Sequence, residues 1–206
     1  MSYTDPFYKD PLFIQAQAAR VEETLKQLSV SSRSKIYLLF SAHSIPLEMS
    51  EKSGYAEQLM EVAALVSRKL KIKNGGVGYQ NRSGDPRDRW LEPDVKDVIG
   101  NLDKGEYQSV ILVPAGFLSD HVEILYDLDV ELKNKVEARG LNYFRASTAM
   151  DHPFFIELMG RLIMEKINGL KKRLNAVRLE QTKILKRILA EKEKRQMAKI
   201  KAGLKK

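Results

Sequence analysis

Short apolar runs alternate with amphipathic stretches along this chain, and the alternation sets its architecture. The runs are Lys35–Phe40, Gly76–Gln80, Ser109–Pro114 and Leu141–Phe144. The first and third are almost continuously apolar, as in parallel strands covered on both faces. Between the runs, the spacing predicts helices at about 54–71, 94–103 and 120–138, followed by one near 152–168. This order predicts an α/β fold: a doubly wound, mainly parallel four-stranded sheet flanked by helices. Another helical stretch, Pro11–Leu28, precedes the first strand. The unit therefore reads as the second half of something larger, or as one that pairs with another chain.

In open parallel sheets, ligands sit beyond the carboxyl ends of the strands. The segments in those places are Ser41–Pro46, Asn81–Pro93 and Ala115–Asp120, and all three carry the unusual residues. His43 follows an apolar strand among small residues, so its ring would project from a strand end. A neutral imidazole there can accept a proton or offer a nitrogen to a metal. A histidine bonded to a neighbouring loop is an equally good reading.

Glu123, Asp127 and Glu131 recur every four residues, which lines them along one helical face. Such a row can pass a hydrated cation or protons. Taken alone it favours the solvated side of an amphipathic helix, because Val122, Leu125, Leu128, Leu132 and Val136 form an apolar stripe opposite. Asp120-x-x-Glu123 also fits a capping-box helix start. His121 falls in the first turn, where the dipole disfavours an imidazolium, and reads as a neutral structural group. Trp90, the single tryptophan, sits with Leu91 and Pro93 in a loop, placed either to stack on a flat ligand or to anchor that loop.

Composition divides the 206 residues into a body, 1–169, and a basic helical extension, 170–206. The extension holds 14 Lys+Arg against 3 Asp+Glu, a net of +11, which leaves the body at about −3 within a chain of +8. Leu170, Leu174, Val177, Ile184, Leu185, Ile188 and Leu189 make a helical stripe in it. Three readings compete: a solvated basic helix, a coiled-coil or partner helix, and peripheral contact with an anionic membrane. Nucleic acid binding has charge alone in its favour.

There is no cysteine, which excludes disulfides, thiolate metal sites and a cysteine-ligated iron–sulfur cluster. Neither a leader-like start nor an apolar stretch of membrane-spanning length is present, so a cytoplasmic location is expected. Gly75-Gly76 and Asn81-Arg82-Ser83-Gly84 match no phosphate-binding loop, and no nucleophile elbow or H-E-x-x-H motif occurs.

Three stretches resemble the carboxyl-terminal half of the ferrochelatase family. They are Leu38–Pro46 (LLFSAHSIP), Gly78–Arg82 leading to Trp90–Asp94 (GYQNR, WLEPD), and Val113–Asp129 (VPAGFLSDHVEILYDLD). They fall in family order, and the likeness extends over about Asp5–Asn168. The resemblance implies insertion of Fe2+, as substrate, into a porphyrin in heme biosynthesis, with no prosthetic group. It implies His43 and Glu123 as the catalytic pair. His43, Glu123, Asp127 and Glu131 would contact metal, while Trp90, Tyr126 and Ser41 would line the porphyrin site. The amino-terminal half of the family is not encoded here. A separate amino-terminal half or a homodimer is therefore the expected partner. The alternative is a non-catalytic tetrapyrrole- or metal-binding module, or a chelatase for another tetrapyrrole or metal.

Overall fold

A computed structural model describes residues 3–28, 33–85, 87–103 and 105–203. Its elements are α1 (Pro11–Leu25), β1 (Ile36–His43), α2 (Leu47–Ser53), α3 (Tyr55–Leu70), β2 (Gly75–Gln80), α4 (Val95–Gly100), β3 (Ser109–Val113), a π-helix (Ile124–Leu132), α5 (Lys133–Glu137), β4 (Asn142–Arg145) and α6 (Pro153–Gly203). The four strands form one parallel sheet in the order β2-β1-β3-β4. The α/β sheet flanked by helices is thus the one the sequence predicts, and a long carboxyl-terminal helix follows it. Two local features were not in the sequence pattern: the short α2, and the π-helix inside the predicted 120–138 helix.

Each face of the sheet carries its own apolar layer. Alternate residues of β1 face opposite ways. Leu39 joins Val110, Leu112, Val95, Ile99 and the buried stripe Ile124, Leu128, Leu132 and Val136 on one side. Leu38, Phe40 and Ala42 turn to the other, where α1 and α3 pack. There Phe7, Phe13 and Phe155 bring their rings within 5.6–6.2 Å of one another. The chain leaves β1 for β2 on one side and later returns to β3 on the other, so the crossovers diverge between β1 and β3. Such a switch point leaves a crevice at the carboxyl ends.

Glycine is required at two places around that crevice. Gly54 takes φ +66°, which lets α2 end and α3 begin with almost no linker. Gly116, after β3, donates its N–H to the Ser41 carbonyl at 3.0 Å. A Cβ there would sit 2.4 Å from the Ala42 Cβ, so the loop lies flat on β1 only because the side chain is hydrogen.

The chain divides into two compact units, Met1–Met159 and Gly160–Lys206. The second is α6 beyond its first turns, and of its described side chains only Leu162 is not exposed. Among the described residues no helix is long and apolar enough to cross a membrane. The 188–190 side chains, part of the predicted stripe, lie outside those described.

Gly116→Ala is expected to cost about 2 kcal/mol of stability through this overlap, read as a lower urea midpoint with an unchanged slope.

Candidate functional site

His43 is the last residue of β1 rather than a loop residue, and its backbone is fixed along the β2 edge by the pairing Ala42 to Tyr79 and His43 to Gln80. Its Nδ1 lies 2.6 Å from the Ser44 carbonyl oxygen. A carbonyl can only accept, so Nδ1 carries the proton and Nε2 keeps its lone pair. Nε2 points at the Glu123 carboxylate, 4.0 Å away, and both side chains are partly open to solvent. The residues read as a candidate pair thus meet across the crevice, although they stand eighty positions apart.

The other two carboxylates follow on the π-helix. Its i→i+5 bonding is visible where the Lys133 N–H reaches the Leu128 carbonyl. In an α-helix, a step of four residues overshoots a turn by about 40°; in the wider π turn the same step falls somewhat short of one. The buried stripe runs Ile124, Leu128, Leu132, Val136 in steps of four. This corrects the expected stripe, since Val122 and Leu125 are 76% and 51% exposed. Glu123, Asp127 and Glu131 each precede a buried residue by one position. They therefore run along the edge of the packed face, at the sheet, and not along the solvent side opposite it.

Asp127 responds to its neighbours as a middle member should. Burial, then Glu131, then Glu123 push its carboxyl above its ordinary value, with Lys96 and His43 opposing. Lys96, on α4, donates to Glu131 at 2.6 Å and is raised chiefly by that bond. Gln80, Asn81, Arg82, Asp94, Asp127 and Glu131 line a polar pocket of about 250 Å³ here. The ladder thus ends at a cation. Among the described residues no three His, Asp or Glu side chains converge as a metal cage. The acids form a line of steps.

The helix bearing them is held by Arg145, the last residue of β4. Its Nε donates to Asp129 at 2.7 Å and its Nη1 to Asp120 at 3.1 Å. Asp120 accordingly serves this clamp, and Glu123 makes no capping bond to the helix start. The His121 ring packs on Phe117, with centroids 5.2 Å apart.

The three positions expected to line a porphyrin differ. Tyr126 is exposed on the π-helix. Trp90 donates its indole N–H to the Asp85 carbonyl at 3.2 Å and lays its ring on Gly84, so it anchors its own loop. Ser41, two residues behind His43, is fully buried, and its hydroxyl has no partner among the described residues.

On the opposite side of β1's end lies an apolar cleft of about 240 Å³, lined by Phe7, Tyr8, Ala42, Tyr55, Leu59 and Gly116 among others. Burial raises the Tyr55 hydroxyl, Tyr79 adds to this, and the His43 backbone draws it back.

A family model described as Ferrochelatase matches residues 1–167. The chain belongs to the ferrochelatase family. The ferrochelatase of Geotalea uraniireducens is 36% identical over 171 residues, 82% of this chain and 52% of that protein. The coproporphyrin III ferrochelatase of Anoxybacillus flavithermus is 35% identical over 170 residues, 81% of this chain and 53% of that one. The solved structure of DR2241 from Deinococcus radiodurans overlays 78% of this chain and 30% of its own, with a TM-score of 0.49 at 18% identity. The chain spans about half the length of the curated relatives it matches.

Reading this ferrochelatase-family sequence alone misses Lys96, Gln80, Arg145 and the apolar cleft. Lys96 meets Glu131 across 35 positions, which no local pattern encodes. Arg145 had a usable signal: a charged residue at the end of a strand in a parallel sheet.

Arg145→Ala strands two half-buried carboxylates and is expected to cost about 2 kcal/mol, measured by urea unfolding. A carboxyl held above its usual 3.8 binds its proton more tightly folded than unfolded, so stability is lost as pH rises through the window above that value. Asp127→Asn removes this loss. The variant is expected to have the higher urea midpoint at about pH 7, and the gain should fade at about pH 3, where both states are protonated.

Proposed function

We propose that this chain is the metallating half of a ferrochelatase-type lyase that inserts Fe2+ into a porphyrin, working as one half of a split or dimeric enzyme. The observation that carries the reading is the His43 Nε2, tautomerically committed as an acceptor, facing Glu123 at 4.0 Å. Metallation releases two pyrrole protons for each Fe2+ taken up, and a base with a free lone pair at the ring's face can receive them in turn. His43 takes the proton and Glu123, opposite, stabilises the imidazolium that results. A hydrated Fe2+ prefers hard oxygen ligands until it is stripped of water, which suits Glu131, Asp127 and Glu123 as successive contacts. Lys96 keeps the outer end of the row from holding a cation too tightly.

The macrocycle lies at the crevice mouth. Tyr126 and Leu125 offer it an exposed apolar face on the π-helix. Trp90 and Ser41, one anchored in its loop and the other sealed behind His43, shape the floor beneath it. The chain acts without a prosthetic group, in the cytoplasm. The relatives named as coproporphyrin III ferrochelatases make coproporphyrin III one porphyrin to offer. A second copy, or a separate amino-terminal half, supplies the other wall in this reading, which the half-length match supports.

Single-turnover metallation, followed by the change in porphyrin absorbance, tests this with and without an added amino-terminal half. Metallation is expected under one of the two conditions, with His43→Ala lowering its rate by at least about 100-fold while porphyrin still binds. Tight porphyrin binding with no metallation in either arm would instead support a non-catalytic tetrapyrrole-binding module.

A further inference from the structure

Beyond the family match, which ends at residue 167, α6 continues to Gly203 as a helix whose described side chains are exposed. From Ile163 the spacing alternates three and four: Ile163, Ile167, Leu170, Leu174, Val177, then Gln181, then Ile184. The six apolar members are 38–64% exposed. This is an a/d seam over three heptads, with Ile163, Leu170, Val177 and Ile184 at d and Ile167, Leu174 and Gln181 at a; Met164 and Leu185, at e, add to it at its two ends. Between Ile167 and Gln181, where e is Lys171 and Arg178, the stripe is two positions wide in seven, which marks a coiled-coil seam, whereas a membrane-surface helix presents a broader face with aromatic anchors. None of the seven is aromatic. The single polar residue, Gln181, occupies an a position, the place where one amide fixes register and oligomer state.

The flanking positions choose the partner. Lys171 and Arg178 stand at e, with Arg173 and Arg187 at g; Glu180, the acid at g, is paired within its own helix to Lys183 at 3.7 Å. In a parallel pair of copies each g residue faces the e position of the next heptad, so Arg173 would meet Arg178 of the second copy. An antiparallel pair sets e against e and g against g, which again places basic residues together. A second copy is therefore disfavoured in both orientations, and a helix with acidic e and g positions is favoured.

We propose that residues 163–184 form one strand of a heterotypic coiled coil, and that the partner is a protein helix with its own a/d repeat, Glu or Asp at e and g, and a polar a residue opposite Gln181. Such a strand gives the chain a means of being recruited to, or assembled with, another protein.

The full chain is titrated with three synthetic four-heptad peptides bearing Leu at a and d and Gln at the a position facing Gln181. One carries Glu at e and g, one carries Lys there, and one is a scrambled form of the acidic peptide. Phosphatidylserine–phosphatidylcholine vesicles form a fourth arm. Calorimetry and sedimentation read affinity and mass. The expected result is a 1:1 complex with the acidic heptad peptide, bound at least about tenfold more tightly than either control. The paired substitution Leu174→Ser and Val177→Ser should abolish that preference while leaving the sheet unit's melting unchanged. Equal affinity for the scrambled acidic peptide would overturn the proposal, since charge alone would then suffice. It would equally be overturned by a dimer that the acidic peptide fails to dissociate and the seam substitutions abolish, or by stronger binding to the vesicles that survives those substitutions.

Discussion

The site depends on β1 lying in parallel between β2 and β3. A strand buried on both faces and bonded on both edges cannot shift by one residue without turning every apolar side chain the wrong way. Leu38, Phe40 and Ala42 are locked toward one layer, and Leu39, Ser41 and His43 toward the other. His43 therefore inherits its direction from the core. The flat approach of Gly116 to Ala42 brings the loop after β3 against the same strand end, where the crossovers diverge. The crevice is a consequence of topology, and the chemistry is placed in it by register.

Against this rigid edge the chain sets an unusual helix. A π-helix of nine residues carries Asp127 and Glu131, with Glu123 just before it, and a four-residue repeat both buries a stripe there and sets a row of acids beside it. Such a helix has poorer intrinsic stability than an α-helix, so outside contacts must hold it. Arg145 supplies them, gripping Asp120 before the helix and Asp129 within it. Glu123 is thus positioned by a residue from β4, on the far side of the sheet order. The clamp and the His43 strand end are independent supports for the two members of one pair.

Several features were legible before any fold was known. The element order, the parallel sheet, the segments at the strand ends and the meeting of His43 with Glu123 followed from apolar runs, spacing and the family likeness. The carboxylate row was legible as a row, but its orientation was not. With 3.6 residues per turn, Val122 and Leu125 belong on the buried side; in the structure Val122, ahead of the π-helix, and Leu125, within it, face water. No local pattern distinguishes the two helices, because what selects the wider turn is the packing of Ile124, Leu128, Leu132 and Val136 on the sheet.

Sequence alone determined which chemical groups exist and which segments are strand or helix, because periodicity and residue type are local properties. It also determined the heptad seam of the tail, since an exposed helix keeps the pattern it is written with. Tertiary structure decided the tautomer of His43, through a carbonyl at the strand end, and the pairing of Lys96 with Glu131. It sealed Ser41 behind the strand end, seated Trp90 on Gly84, and turned the acid row toward the sheet. Each of these depends on a direction in space or on groups brought close by folding, and neither can be read from the chain's order alone.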